Sequence, residues 1–155
     1  MLQLAIGLTI VVLAVGCPGQ STLPQNGQRQ AALVLEQQGK NAEAEAAWRV
    51  FLAAHPSNPE PYAHLGLLEV RQEHYTQAVS FYRKALELNP SASGLRLNLG
   101  LALFKSGELK QAILEFKPLL RSQPPDSPDA QRLTILIGMA HYGLGEYAEV
   151  VPYLK

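Results

Sequence analysis

Cysteine and charge bias are what this 155-residue chain most lacks. Its single cysteine, Cys17, excludes an intrachain disulfide and a cysteine-based zinc site. Lys and Arg number 13, as do Asp and Glu, so the formal net charge is zero. Neither the total nor any run supplies the basic face that nucleic acid or anionic lipid requires, and no nucleic-acid partner is expected. His55, His64, His74 and His141 show no His-x-x-x-His or His-Glu-x-x-His spacing, so no metal site on one helix is indicated. His55 and His74 read as solvated, and His64 as a polar contact near a surface. No G-x-S-x-G, phosphate-cradling glycine loop or dinucleotide fingerprint occurs, and Glu43, Glu45, Glu69 and Glu73 are spaced as solvated helix-face charges. Catalysis, cofactors and metals are therefore not expected. What remains is a neutral chain with 47% apolar residues, long enough for one domain with a core.

Positive charge is also missing from the beginning, where the first Lys or Arg is Arg29. The apolar run Leu4 to Gly16 is about thirteen residues, short of the roughly 20 that span a bilayer, and reads as the h-region of a signal peptide. It ends in Ala14-Val15-Gly16 immediately before Cys17, an order that resembles a bacterial lipobox. That resemblance implies an exported lipoprotein, periplasmic or membrane-anchored by lipid on Cys17. The same residues fit an ordinary signal peptide cut near Gly16 or Gln20, giving a secreted protein, or an uncleaved anchor. PGQSTLPQNG, residues 18–27, has no periodicity and reads as a flexible linker between segment 1–17 and a domain over 28–155.

That domain is periodic. Pro56, Pro90 and Pro124 recur at one fixed interval, and Ala44, Ala78 and Ala112 keep the same interval, as do Trp48, Tyr82 and Phe116. Leu65-Gly66 recurs at that interval as Leu99-Gly100. With Tyr62, Ala78, Tyr82, Ala85 and Pro90, this pattern resembles the tetratricopeptide repeat family, in which each unit is about 34 residues long. Units fall at about 25–58, 59–92, 93–126 and 127–155, the last with its register shifted and unfinished. Glu69 stands where the family usually has an aromatic, and Arg96 replaces the first aromatic of its unit. The resemblance implies an all-α, right-handed α-solenoid of antiparallel helix pairs.

The residues support helix pairs without the family name. Tyr62, Leu65 and Leu68 recur at helical spacing, as do Tyr75, Ala78, Val79, Tyr82, Ala85 and Leu86. A glycine inside a helix costs about 1 kcal/mol relative to alanine, so Gly66 and Gly100 need a packing reason. Asn58-Pro59-Glu60 and Ser127-Pro128-Asp129 read as helix starts, and Gly39, Gly107 and Gly145 as turns within pairs. Pro118 and Pro152 fall inside second helices and predict a kink or an early end there. The last residues, VVPYLK, are apolar and uncapped, which suggests a fragment of a longer repeat protein.

In this family the first helices line a concave groove. The resemblance places there Asn26, Arg29, Leu33, Glu36 and Gln37; Glu60, Ala63, Leu67, Val70 and Arg71; Gly94, Leu97, Leu101, Phe104 and Lys105; and Arg132, Ile135, Met139, Tyr142 and Gly143. Leu33, Leu67, Leu101 and Met139 form one apolar row, with Val70, Phe104 and Tyr142 beside it and Arg71 and Lys105 at the polar edge. Such a strip is expected to accept an apolar peptide or a partner helix. A carboxylate clamp is not expected, because Leu67 and Leu101 stand where that subgroup is polar, although Asn98 fits. The sequence thus points to a non-catalytic scaffold that binds a protein or peptide. Two other readings stay open: the docking part of a longer exported enzyme, and a self-association module.

Overall fold

The computed structural model describes residues 25–154, and Cys17, with the rest of segment 1–24, lies outside them. The described residues form eight α-helices in sequential antiparallel pairs, with no strand among them. They are α1 (Gln25–Gln37), α2 (Asn41–Ala54), α3 (Pro59–Arg71), α4 (Tyr75–Leu88), α5 (Ser93–Lys105), α6 (Leu109–Ser122), α7 (Pro128–Gly143) and the short α8 (Tyr147–Val150), closed by a 3-10 turn at Val151–Tyr153. Each helix packs mainly on its neighbours in sequence, as a solenoid requires. No described helix is long and apolar enough to cross a membrane. Because α1 begins at Gln25, residues Gln25–Gly27, read above as the end of the linker, are helical.

One turn, used four times, holds the pairs together. Gly39, Glu73, Gly107 and Gly145 adopt positive φ of 71, 60, 86 and 73°. After each, a backbone N–H reaches back to the carbonyl five positions earlier: Lys40 to Leu35, His74 to Glu69, Glu108 to Leu103 and Glu146 to His141, at 2.9–3.0 Å. This is the left-handed helix cap that satisfies carbonyls at a helix end. Glycine takes the conformation freely and a side chain at a cost, so Glu73 is the strained member of the set. The first three turns are one repeat apart, and the last follows after a longer interval. The added residues mostly lengthen α7, which has 16 residues where α1, α3 and α5 have 13.

Close approach explains the helix-interior glycines. A Cβ on Gly66 would lie 2.7 Å from Cε1 of Tyr82, and one on Gly100 would strike the ring of Phe116 in the same way. The aromatic ring of each second helix therefore fills the space that glycine leaves on the first. Trp48, Phe51, Leu65 and Leu68 centre one buried cluster, and Tyr82, Leu103, Phe116 and Ile137 another. Helix starts follow the expected chemistry: Asn58 Oδ1 accepts from the Glu60 N–H at 2.9 Å, and Ser127 Oγ from that of Ala130 at 3.1 Å. Arg96 takes over the role of the aromatic it replaces. Tyr62 donates its hydroxyl to the Pro56 carbonyl, and one repeat later Arg96 reaches that of Pro90 at 3.5 Å while pairing with Glu115 at 2.8 Å.

Two expectations are corrected. α6 runs through Pro118 to Ser122 and has the same 14 residues as α2 and α4, so of the kink or early end expected there the early end does not occur. The carbonyl deprived of its bond is that of Leu114, a residue on the exposed face of the helix. Pro152 behaves as expected, because α8 gives way to the 3-10 turn just before it. Glu69 is not a solvated charge: it is buried, with Oε2 3.0 Å from His74 Nδ1 and Oε1 3.8 Å from Arg49.

Candidate binding groove

The first helices of successive pairs face one another across the concave side, and the two ends of that side differ in chemistry. Between α1 and α3 the surface is polar and internally satisfied. The buried indole N–H of Trp48 needs an acceptor and donates to Glu36 Oε2 at 3.1 Å. The same carboxylate lies 2.8 Å from His64 Nδ1 and 3.5 Å from Arg71. The His64 ring stacks on Trp48 with centroids 4.2 Å apart and planes 9° from parallel. Beside this group Arg29 donates through Nε to Glu60 at 2.8 Å, a hydrogen bond and charge that hold the guanidinium pKa above its ordinary value.

From α3 to α7 the surface opens into two apolar cavities. The smaller, about 360 Å³, lies between α3 and α5 and is lined by Leu67, Val70, Tyr75, Tyr82, Asn98, Leu101, Ala102 and Lys105. The larger, about 540 Å³, lies between α5 and α7. Its walls include Leu97, Leu101, Leu119, Leu133, Ile135 and Leu136, with Asp129 and Arg132 at its edge. Leu101 belongs to both, so the two cavities adjoin at α5. Burial pushes the pKa of the Tyr82 phenol up to about 12, an effect that the nearby Arg71 charge opposes and Glu36 reinforces. The phenol is therefore a hydrogen-bond donor at neutral pH.

Models of the family described as tetratricopeptide repeat match residues 29–93 and 69–136. The chain belongs to the tetratricopeptide repeat family. The TPR repeat-containing thioredoxin TTL4 of Arabidopsis thaliana is 32% identical over 84 residues, which are 54% of this chain and 12% of that protein. The chain thus spans about an eighth of that relative's length. Among solved structures, a mutant of MamA matches with a TM-score of 0.75 at 24% identity, covering 85% of this chain and 70% of that one. MamA from Desulfovibrio magneticus RS-1 matches at 0.74 and 21% identity, covering 83% and 71%. At these identities the likeness speaks for the fold alone.

Within the tetratricopeptide groove, Leu67, Val70, Leu97, Leu101, Lys105 and Ile135 line the cavities. Leu33 instead packs half-buried on the first core cluster, and Ala63 sits half-buried on α3, whose neighbouring groups belong to the polar end. Phe104 packs on the second cluster. Met139 and Tyr142 are exposed on α7 outside both cavities, with Tyr142 edge-on to Tyr147 at 5.5 Å. The expected row of Leu33, Leu67, Leu101 and Met139 thus lines two adjoining cavities in its middle and is not a continuous strip. Tyr75, Tyr82 and Leu119 come from second helices, which the reading by first helices omitted. Tyr82 carried a signal: it is the one member of the Trp48, Tyr82, Phe116 series with a hydroxyl. Of the histidines, His64, His74 and His141 each lie within 3.0 Å of a carboxylate, on Glu36, Glu69 and Glu146.

Proposed function

We propose that the chain is a non-catalytic protein-interaction scaffold whose concave groove binds a peptide segment or helix of another protein. The observation that carries this reading is the pair of adjoining cavities meeting at Leu101, with Leu97, Leu101 and Ile135 left exposed on a face that a globular chain would otherwise cover. The polar end is occupied by its own ion pairs and offers little to a ligand. Affinity capture with the wild type beside a Leu67→Glu/Leu101→Glu variant of unchanged helicity tests it. Partners held by the first and lost by the second support the groove; unchanged capture removes it.

Export, with a tether through Cys17 followed by a short linker, remains part of the proposal and rests on the order of residues 1–17. Membrane fractionation of the wild type against Cys17→Ser, with the mass of the N-terminal peptide, tests it; an unmodified, unprocessed N-terminus sinks it. A second reading, docking for a catalytic domain in a longer protein, draws on the Arabidopsis relative, whose name joins the repeats to a thioredoxin. Self-association through the same apolar groove is the third. Sedimentation that stays monomeric at high concentration would remove it.

A further inference from the structure

The side of α6 that faces away from the groove breaks several local rules at once. Ala112, Ile113, Phe116 and Leu119 form its buried face, and Leu119 and Gln123 border the larger cavity. At 3.6 residues per turn, Lys110, Leu114, Lys117 and Arg121 fall within about 60° of one another on the outer side, along about 16 Å of helix. Leu114 is 69% exposed there. Lys117 and Arg121 are like charges one turn apart, an arrangement that destabilises a helix. Pro118 stands between them in the helix interior, where it removes a backbone bond. None of the three cations has an ion-pair partner among the described residues, and Arg121 Nε reaches only the Lys117 carbonyl at 3.4 Å. The carboxylates of α4, α6 and the turn before α6 are committed elsewhere: Glu87 to Lys84 at 2.8 Å, Glu108 to Arg83 at 3.8 Å and Glu115 to Arg96 at 2.8 Å. The fold does not require this stripe, because the same positions are Thr76, Ser80, Arg83 and Glu87 on α4, and Ala42, Ala46, Arg49 and Ala53 on α2. Local choices that oppose stability gather where a surface has another use. Along the chain the three cations are too dispersed to form a basic run, and only the winding of α6 collects them.

We propose that the stripe is a contact with an anionic membrane surface, where lipid headgroups answer Lys110, Lys117 and Arg121 and Leu114 enters the interface between them. Two features favour a membrane over an acidic peptide. The stripe is a ridge on the outer side of a solenoid whose two cavities lie on the other side, so a planar partner meets it along its length. Its lysines are also held by no fixed neighbour, which suits mobile headgroups better than a set of carboxylates at fixed positions. Each basic side chain near an anionic surface multiplies partitioning about fivefold, so three give about a hundredfold. That is enough to orient a chain kept at the membrane by other means, and too little to hold it there alone. In this orientation the groove faces away from the bilayer and stays open. The proposal does not rest on the groove reading, which stands if it fails.

The test places an environment-sensitive fluorophore on the full chain through Leu114→Cys in a Cys17→Ser background. Vesicles are phosphatidylcholine alone or with about a third phosphatidylglycerol. Emission should shift to the blue on the anionic vesicles and not on the neutral ones. The same label introduced by Val50→Cys, on α2, or by Met139→Cys, on the groove side of α7, should keep its emission in solution; both residues are about half exposed. Lys117→Gln/Arg121→Gln should raise the lipid concentration at half-shift about thirtyfold, and about 0.5 M salt should act in the same direction. Because the two cations repel each other and pair with no carboxylate, this variant should melt no lower than its parent, which shows that it is folded. Equal shifts on neutral vesicles, or at Val50 and Met139 as well, would mean attachment through the apolar residues 4–16 alone and overturn the proposal. A half-shift concentration unmoved by the double variant overturns it too. So does a label that answers polyglutamate but not anionic vesicles, which would make the partner an acidic protein.

Discussion

Replacing an interior helical glycine with alanine normally stabilises a protein by about 1 kcal/mol, and at Gly66 the sign should reverse. The added Cβ would stand 2.7 Å from Cε1 and 2.9 Å from Cδ1 of Tyr82, where carbon pairs prefer about 3.5–4.0 Å. Relief needs a movement of about 1 Å by the ring or by one helix. Tyr82 is only 1% exposed and belongs to the buried cluster with Val79, Leu86 and Leu103, so moving its ring disturbs core packing. Overpacking of this kind costs about 1–3 kcal/mol, which leaves a net loss of up to about 2 kcal/mol after the gain in helix propensity. Gly94, in α5, has no heavy atom within 4 Å of its would-be Cβ and supplies the control. Gly94→Ala should be neutral or stabilising by up to about 1 kcal/mol. Denaturant unfolding followed by circular dichroism reads both, and a Tyr82→Leu background closes the cycle. There the Gly66→Ala penalty should shrink by about 1 kcal/mol or more. A Gly66→Ala protein more stable than wild type, or a penalty unchanged by Tyr82→Leu, would refute the packing argument.

Other outcomes follow from the same geometry. Glu73→Gly, at φ +60°, should raise the unfolding midpoint by the equivalent of about 1 kcal/mol, while Gly39→Ala, at φ +71°, should lower it by a similar amount; equal midpoints would show that the turn carries no strain. Glu36→Ala should cost about 1–3 kcal/mol because it strands the buried Trp48 N–H, and loss of the same energy in a Trp48→Phe background would contradict that cause. Tyr82 has a folded pKa raised to about 12, above its unfolded value near 10, so its contribution is complete below pH 10 and fades as pH rises toward 12. Tyr82→Phe should therefore flatten the alkaline limb of a stability–pH curve relative to wild type, and parallel limbs would count against it. Ile135→Glu, 58% exposed, should change stability by no more than about 0.5 kcal/mol while removing groove binding.

The fold was legible because its causes are periodic. Residues one repeat apart do the same job, so Trp48, Tyr82 and Phe116 could be aligned and the small residues opposite them understood before any helix was seen. Substitutions inside the period were harder. Glu69 looked like one more helix-face charge, and only the turn beside it, which brings His74 within 3.0 Å, explains how a carboxylate is tolerated in that buried place. The mirrored pair in the fourth unit has His141 buried and Glu146 at the turn, 2.7 Å apart, in the same two places. Glycine spacing disclosed three of the four left-handed turns within helix pairs; the fourth was hidden because Glu73 obeys the backbone and not its own preference. The groove was half legible. Family position identified side chains on first helices, but a cavity is closed by whatever lies behind it. Tyr75, Tyr82 and Leu119 on the second helices depend on helix-to-helix distance, which no pattern along the chain encodes.

The division of the concave face into a polar and an apolar end has a consequence for binding. At the α1/α3 end, Glu36, Glu60, Arg29, His64 and Arg71 have already exchanged water for one another. A ligand there would have to break those pairs before making its own, and truncating one partner of such a pair leaves the other unpaired and costly. Between α3 and α7 the reverse holds. Leu101 and Ile135 keep apolar surface in water, and Tyr82, Asn98 and Lys105 make no hydrogen bonds to described residues, so contact with a ligand there gains hydrophobic burial without first losing internal bonds. Binding energy should thus concentrate on α5 and its two neighbours, while the first pair acts as a rigid, self-satisfied support. Charge substitutions spread along the concave face separate these roles. Glu60→Ala should affect stability and leave peptide affinity within about twofold, whereas changes at Leu101 or Lys105 should do the opposite. Equal effects on affinity from both ends would mean that the polar end also engages the ligand, and the cavities adjoining at α5 would then be only part of the site.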